Sequence, residues 1–363
     1  GKDKSFDGGS IKVTGNYGTK LGTKGGFANF TTEYISKNKT LRPGYDFRRG
    51  FGEAAIDGLN LFVNAAVPVS DKTEVYAFGG GNFRDTDAYA FTRNNPTGRN
   101  VVSIYPDGFT PRITSKIIDN SISAGIRTTT DNGWKVDLSN TFGRNNFHYY
   151  IKGTLNASLQ DNSPTSFDAG GHSLSQNTIN LDFSKNYKDV LEGFNLAFGA
   201  EHRMENFKIF AGEEASYATY DVNGAVVTNP LTQTIPTDPI TGDARPGGSQ
   251  GFPGYSPSNV VDEKRASLAL YTDAELDVTK NLLVSAAVRF ENYNDFGSTL
   301  NGKFATRYKV SDKFNLRGSV STGFRAPSLA QIYYNLGSTN FTSGGSTEVV
   351  LSPNNSPITQ SFG

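Results

Sequence analysis

Side chains from Phe314 to Arg325 fall into two sets that alternate without interruption. Phe314, Leu316, Gly318, Val320, Thr322 and Phe324 are uncharged, and between them lie Asn315, Arg317, Ser319, Ser321, Gly323 and Arg325. A β-strand sends successive side chains to opposite faces, so one face of this segment is free of charge and the other is wet. The same pattern returns in Ile122/Ala124/Ile126/Thr128, Trp134/Val136/Leu138/Asn140/Phe142, Ile179/Leu181/Phe183 and Leu268/Leu270/Thr272/Ala274/Leu276/Val278. Arg127, Lys135, Asp137, Asp182, Asp273, Glu275 and Asp277 sit on the opposite faces. A Lys or Arg facing lipid at mid-depth costs about 2–4 kcal/mol, and the apolar faces of these strands hold none.

The pattern predicts twelve strands, at 9–20, 25–37, 58–69, 73–92, 120–130, 134–152, 176–186, 193–210, 263–279, 281–294, 299–310 and 313–325. Many are twice the soluble average of about five or six residues. Alternation alone also fits a sandwich with one face buried. The connections separate the two readings. Short turns (Leu21–Lys24, Ser70–Lys72, Asp131–Gly133, Asn186–Glu192, Lys280, Ser311–Lys313) join strands in pairs. Long segments at 38–57, 93–119, 153–175 and 211–262 lie between the pairs, with the short Asp295–Ser298 link as the exception. Short turns at one rim and long loops at the other mark a transmembrane barrel, as do strands that begin and end on rings, such as Trp134 with Phe142 and Phe314 with Phe324.

Composition agrees and narrows the classes. No run of about eighteen apolar residues exists, which excludes a helical span. The mean hydropathy of −0.45 does not exclude a barrel, in which only alternate residues are apolar. Lys+Arg and Asp+Glu both number 35, so there is no basic excess of the kind nucleic-acid binding uses. With no Cys, three scattered His, no Gly-x-Ser-x-Gly elbow and no His-Glu-x-x-His, neither a catalytic centre nor a cofactor is expected. The 40 Gly and 26 Phe favour all-β structure.

Leu316-Arg-Gly-Ser-Val-Ser-Thr-Gly-Phe-Arg-Ala-Pro-Ser-Leu329 resembles the barrel signature of TonB-dependent outer-membrane receptors, with Phe324, Arg325, Ala326, Pro327 and Ser328 its most specific part. Ala286-Ala-Val-Arg-Phe-Glu-Asn-Tyr-Asn-Asp-Phe-Gly-Ser298, Ser123–Arg127, Asn195–Arg203 and Ile104–Phe109 are similar to further parts of that family. The resemblance extends from about residue 9 to 345 and implies an antiparallel 22-stranded transmembrane β-barrel in the bacterial outer membrane, filled by an N-terminal plug. Residues 1–363 are then expected to be a partial barrel domain of about twelve strands. The plug, the energy-coupling box and about ten strands are expected to lie outside it. No signal peptide is visible at Gly1, and Phe362 does not supply the aromatic residue that closes a last strand.

The resemblance further implies a transport receptor, not an enzyme, which imports a scarce solute with energy passed from the inner membrane by the TonB complex through the plug. Outer-membrane lipid, small-molecule cargo and a surface lipoprotein are the expected partners. An iron-siderophore chelate is the leading cargo, with cobalamin, saccharide or peptide as alternatives. A passive porin-like channel and a soluble β-rich adhesin or carbohydrate-binding module are the competing functions.

Candidate ligand residues lie in the long loops. Arg42, Tyr45, Phe47, Arg48 and Arg49 combine guanidinium and ring groups that suit an anionic chelate through charge and cation–π attraction, although ordinary solvation accounts for them as well. His148, Tyr149 and Tyr150 fit either a ligand rim or the lipid interface at the top of a strand. Arg325 with Pro327 fits ligand contact or a simple strand terminator. Luminal Arg289, Glu291, Arg307 and Arg317 suit either plug contact or cross-strand pairing. The Pro- and Gly-rich stretch 230–254 reads as a mobile loop without the spaced carboxylates of a calcium site.

Overall fold

The computed structural model describes residues 7–42, 44, 48–342, 345–353 and 356–361. Twelve strands form one antiparallel sheet in which each pairs with its neighbours in sequence. They are β1 (Ser10–Leu21), β2 (Gly26–Lys37), β3 (Ala55–Pro68), β4 (Thr73–Tyr89), β5 (Arg112–Thr129) and β6 (Lys135–Lys152). The second half comprises β7 (Ser166–Tyr187), β8 (Phe194–Phe210), β9 (Val261–Thr279), β10 (Leu282–Tyr293), β11 (Gly297–Ser311) and β12 (Phe314–Ser321). A separate two-stranded ladder joins β13 (Leu336–Thr342) to β14 (Gly345–Leu351). The turns leaving β1, β3, β5, β7, β9 and β11 are short, and the long connections gather at the other rim.

Register places the two sets of side chains on opposite sides across the whole sheet. Directly paired residues share a face. Val63↔Gly79, Gly79↔Ile122, Ile122↔Phe142, Leu138↔Leu181 and Leu270↔Phe290 therefore form a continuous outward band. Its members stay exposed, including Ile122 at 55% and Leu270 at 51%, which in water would be a large apolar liability. Lipid removes that liability and demands that every backbone group be paired within the protein. The ladder meets this demand through unbroken registers such as that of β4 with β5 from Thr73↔Thr128 to Tyr89↔Arg112. Trp134 lies against Phe198 at 5.4 Å and Tyr187 at 6.3 Å, with the Lys185 ammonium over the Tyr187 ring, at the short-turn end of the band. An aromatic girdle has this composition.

The strands outrun the membrane. At about 3.3 Å per residue, β7 is far longer than the lipid-facing band of about 25 Å, and beyond it the apolar stripe changes face. In β6, Leu138 and Phe142 point outward, whereas farther along the same strand Tyr149 and Ile151 point inward and Ile151 is fully buried. Phe207 and Ile209 of β8 are likewise buried on the inner side, at 2% and 1% exposure. There the long loops, not lipid, cover the sheet. Leu155, Ala157, Val101 and Phe109 form one core cluster, and Phe207, Ile209, Tyr255 and Leu329 form another.

This reversal explains the main departures from the expected strands. β5 begins at Arg112 and β7 at Ser166, not at 120 and 176, because their outer ends follow the inverted pattern and lack a uniform apolar face. A bulge in the β6–β7 ladder interrupts the register between His148 and Tyr150. Gly170 supplies its left-handed turn with φ 72°, where an added Cβ would meet the Phe210 carbonyl oxygen at 2.4 Å. β12 ends at Ser321, six residues before Pro327, so that proline does not terminate it.

Adjacent residues on opposite faces give a direct check. Ala286→Arg, on the outward face, is expected to lower folding stability in bilayers by about 2–4 kcal/mol. Ser285→Arg, which faces Glu275 across the inner side, is expected to change it by less than about 1 kcal/mol. Urea titration of the reconstituted protein measures both.

Candidate functional site

The four long connections and the segment after β12 are tied into a cap over the inner side of the sheet. Arg93 is its central fastener. Its backbone exchanges bonds of 2.7 and 2.9 Å with Phe109, its Nε donates to Gln250 Oε1 at 2.9 Å, and its Nη1 donates to the Phe91 carbonyl at 2.8 Å. Gln250 in turn is fixed by its backbone N–H to the Leu155 carbonyl and by Thr154 Oγ1, which donates to the Gln250 carbonyl at 2.7 Å. Loops 90–111, 153–165 and 211–260 thus meet at one side-chain pair. Burial lowers the Arg93 pKa to about 10, with the Arg99 charge adding to the effect, and leaves the guanidinium charged at neutral pH.

Stretch 230–254 is therefore not a mobile loop. Arg245 donates to the Asn100 carbonyl at 2.5 Å and pairs with Asp238 at 3.3 Å, with both side chains buried. Asp238 also accepts the Ile240 and Thr241 N–H groups at 3.0 and 2.9 Å. These backbone donors come first in holding its carboxyl below the usual carboxylate range, and Arg245 adds to them. Asn156 Nδ2 donates to the carbonyls of Ala215 and Ala218, both at 2.8 Å, and so fixes α1 (Glu214–Tyr217) beneath the loop. Tyr255, fully buried, shares a 2.9 Å hydrogen bond with Tyr334, and burial pushes its phenol pKa up.

Against this framework opens a concavity of about 680 Å³ lined by Arg93, Arg99, Arg245, Gln250, Tyr217 and Phe252, among others. Among the described residues its lining includes three arginines and no carboxylate. Asp238 neutralises Arg245. Such a surface favours an anion carrying apolar or aromatic bulk. Among the described residues no group of three or more His, Cys, Asp or Glu is placed to hold a metal.

The residues singled out in the sequence are dispersed. Arg42 pairs with Asp7 at 2.6 Å on the exposed side of its loop. The Arg48 guanidinium lies 5.0 Å from the centre of the Phe51 ring and 5.4 Å from that of Phe91. Arg49 donates to Asn94 Oδ1 at 2.9 Å and so joins loop 38–54 to loop 90–111. Tyr45 and Phe47 lie outside the described residues. His148 and Tyr149 face opposite ways. His148 contacts Asp168 at 2.7 Å and Tyr150 at 3.3 Å on the outward side, whereas Tyr149 stacks on Phe252 at 4.6 Å in the cap.

The run Phe324–Ser328 leaves the sheet after β12 and packs as a corner. Phe324 meets Phe296 at 5.2 Å, Arg325 is exposed, and Ala326 is half-buried. The Pro327 carbonyl accepts from Arg265 at 2.7 Å, and Ser328 caps α2 (Leu329–Tyr333) by accepting from the Gln331 N–H. Arg265 is itself anchored by Asp295 at 2.8 Å. The motif's visible work here is to turn the chain and dock α2. Arg93, Arg99, Arg245 and Gln250 escaped the sequence reading. Their signal was arginine recurring in two Pro- and Gly-rich stretches, 93–99 and 243–248, whose proximity only the fold creates.

An outward apolar band, an aromatic girdle, short turns at one rim and folded loops at the other define an outer-membrane β-barrel segment. The family model described as TonB dependent receptor-like, beta-barrel, matches residues 64–357, and the chain belongs to that family. The siderophore receptor PirA from Acinetobacter baumannii is similar in structure, with TM-score 0.62, 15% identity, and coverage of 97% of this chain and 46% of that one. A ferric enterobactin receptor mutant from Pseudomonas aeruginosa gives 0.61, 12%, 96% and 46%, and PirA from that organism gives 0.58, 12%, 96% and 47%. The chain spans about half the length of these receptors. No curated protein sequence matches it. The outward band and the family together displace the soluble β-module reading.

Two measurements probe the cap. Gln250→Ala removes the acceptor of a buried guanidinium, a bond of a class that contributes about 1.5–3 kcal/mol. Hydrogen exchange at the paired Arg93 and Phe109 amides should then quicken by about tenfold or more. Asp238 has a depressed folded-state pKa, so its contribution is present above the unfolded value near 3.9 and is lost as pH falls through the folded one. After correction for intrinsic rates, the Ile240 and Thr241 amides should lose protection on acidification below about pH 4 and not between pH 5 and 8.

Proposed function

We propose that this chain is part of the barrel wall of a receptor that imports an anionic iron-siderophore chelate. The observation carrying this reading is the cavity that Arg93, Arg99 and Arg245 line together with Tyr217 and Phe252, built from loops that are folded rather than loose. An exposed cation on flexible chain gives little selectivity, whereas an ordered guanidinium in a partly desolvated cleft binds anions with less ordering cost. Siderophore receptors among the structural neighbours support the cargo class. Residues 1–363 are proposed as a partial barrel domain that works with a plug and further strands supplied by the rest of the receptor. TonB is proposed as the energy donor through that plug, in keeping with the family. The protein acts as a transporter and not an enzyme, with lipid around it and any surface lipoprotein at the loop rim.

Within this reading Arg99 lines the cavity beside Gln250 as a ligand contact, and Arg93 is mainly structural. Arg48 and Arg49 border the same loop cluster, whereas Arg42, His148 and Arg325 do not line the cavity. A passive porin is the second reading, because the short-turn half of the lumen wall is rich in charge in the manner of a channel.

Arg99→Ala in the whole receptor is expected to weaken binding of a ferric anionic chelate by about tenfold, which corresponds to about 1.4 kcal/mol. Arg42→Ala is expected to stay within about twofold, since it removes an exposed pair. Fluorescence quenching by ferric chelates on whole cells gives both values. Uptake that persists after energy uncoupling would establish the passive channel instead.

A further inference from the structure

Two of the chain's three histidines face away from the cap. His148 contacts Asp168 on the outward side, and His202 stands opposite the outward-facing Ile179. His172 faces inward, above the membrane, between Phe147 on β6 and Ile209 on β8. Its ring stacks on Phe147 with centroids 5.4 Å apart and an interplanar angle of 10°. Tyr149 flanks it at 6.0 Å, and Tyr334 meets it at 6.2 Å and nearly a right angle. The Nδ1 of His172 is buried and has no hydrogen-bond partner among the described residues.

Tyr334 connects this ring to the cavity. It shares the hydrogen bond with Tyr255 and precedes Leu336 and Gly337, which line the concavity. Segment 329–337 contains no charged residue. Asn335 joins it to Asn259, and the rest of its attachment is apolar, through Leu329, Ala330, Tyr333, Tyr334 and Leu336 packed on Phe207, Ile209 and Tyr255. The titratable groups facing His172 are therefore the phenols of Tyr149 and Tyr334, while β8 presents Ile209. Burial and the neighbouring Tyr334 push the Tyr149 phenol up to about 12, so it gives no counter-charge near neutrality. Glu263, on β9 beyond β8, acts on Tyr333.

A neutral imidazole can leave Nδ1 without a proton, whereas the imidazolium carries one on each nitrogen. Protonation therefore sets a charge and an unmatched donor within a cluster of rings. From this geometry we infer that His172 is a pH-sensitive latch. Neutral, it holds segment 329–337 and with it one wall of the cavity; protonated, it loosens them. The cavity's role as an anion site rests on the reading above, whereas the docking of its wall does not.

The direction follows from burial, which lowers the His172 pKa with no contribution from a neighbouring charge. With the segment undocked, the imidazole returns to an ordinary value of about 6.5. Docking is then at full strength above that value and weakens as pH falls through it toward the lower docked-state value. A cavity with a loosened wall holds its ligand less tightly in acid.

The test uses the purified whole receptor in detergent micelles, without ligand. In histidine-labelled receptor followed by NMR, the ring signal lost in His172→Phe is expected to titrate below about pH 6.5. Hydrogen exchange at the Ile332 and Tyr334 amides, bonded to the Ser328 and Ala330 carbonyls, should quicken by at least about threefold between about pH 7.5 and 5.5 after correction for intrinsic rates. Ile240 and Thr241, held by Asp238, should not change over that range. His172→Phe cannot take up a proton and should make the Ile332 and Tyr334 rates independent of pH. His172→Asn gives the same check if the larger ring fails to pack. Titration of His172 at or above about 6.5 overturns the latch, because the rings then hold the imidazolium by cation–π attraction. Ile332 and Tyr334 protection that stays level with pH, or that falls equally in the variants, overturns it as well. A latch that behaves as expected while Arg99→Ala leaves chelate binding unchanged stands, and the cargo reading alone fails.

Discussion

Backbone hydrogen bonding in lipid is the constraint on which the rest of this structure depends. A bilayer offers no partner to an exposed N–H or C=O, so a chain without an apolar helix crosses as a sheet with its ladder satisfied. The neighbour-to-neighbour order from β1 to β12 is the simplest way to achieve this, since each strand finds its partners in the preceding and following segments. The side-chain pattern follows from the ladder. With backbone pairing in the plane of the sheet, one set of side chains must meet lipid and the other the lumen.

The same sheet is used twice along its height. In the membrane its apolar residues point out, and above the membrane they point in, so that Tyr149, Ile151, Phe207 and Ile209 receive the folded loops. No change of strand parity is needed, only a shift of the apolar positions from even to odd in β6. The consequence for function is an ordered cap in place of a fringe of loose chain. Its buried fasteners, Arg93 with Gln250 and Arg245 with Asp238, place the cavity arginines on a scaffold that does not have to be ordered when ligand arrives.

The sequence made the membrane half of each strand legible, because period-two alternation sustained over ten or more residues requires an extended chain with two unlike faces. All twelve strands, their pairing by short turns and the long-loop rim follow from it. The outer ends of β5 and β7 were hidden by the inversion of the apolar stripe, and the end of β12 by alternation that continues to Arg325 after pairing has stopped. The site was far less legible. Arg93, Arg245 and Gln250 act through contacts 145–157 residues apart in sequence, which no local pattern encodes. His148 and Tyr149 illustrate the opposite error: they are neighbours in sequence and are sent to opposite faces by the strand.

The central claim is that alternate residues of one strand meet lipid and lumen. Its most direct test is a nitroxide scan of β10, with single cysteines placed from Leu282 to Tyr293 in the receptor reconstituted in bilayers. Positions 284, 286, 288 and 290 should be open to oxygen dissolved in lipid and shielded from a water-soluble nickel chelate. Positions 283, 285, 287 and 289 should show less oxygen access. Uniform access along the strand, or the opposite phase, would contradict the claim.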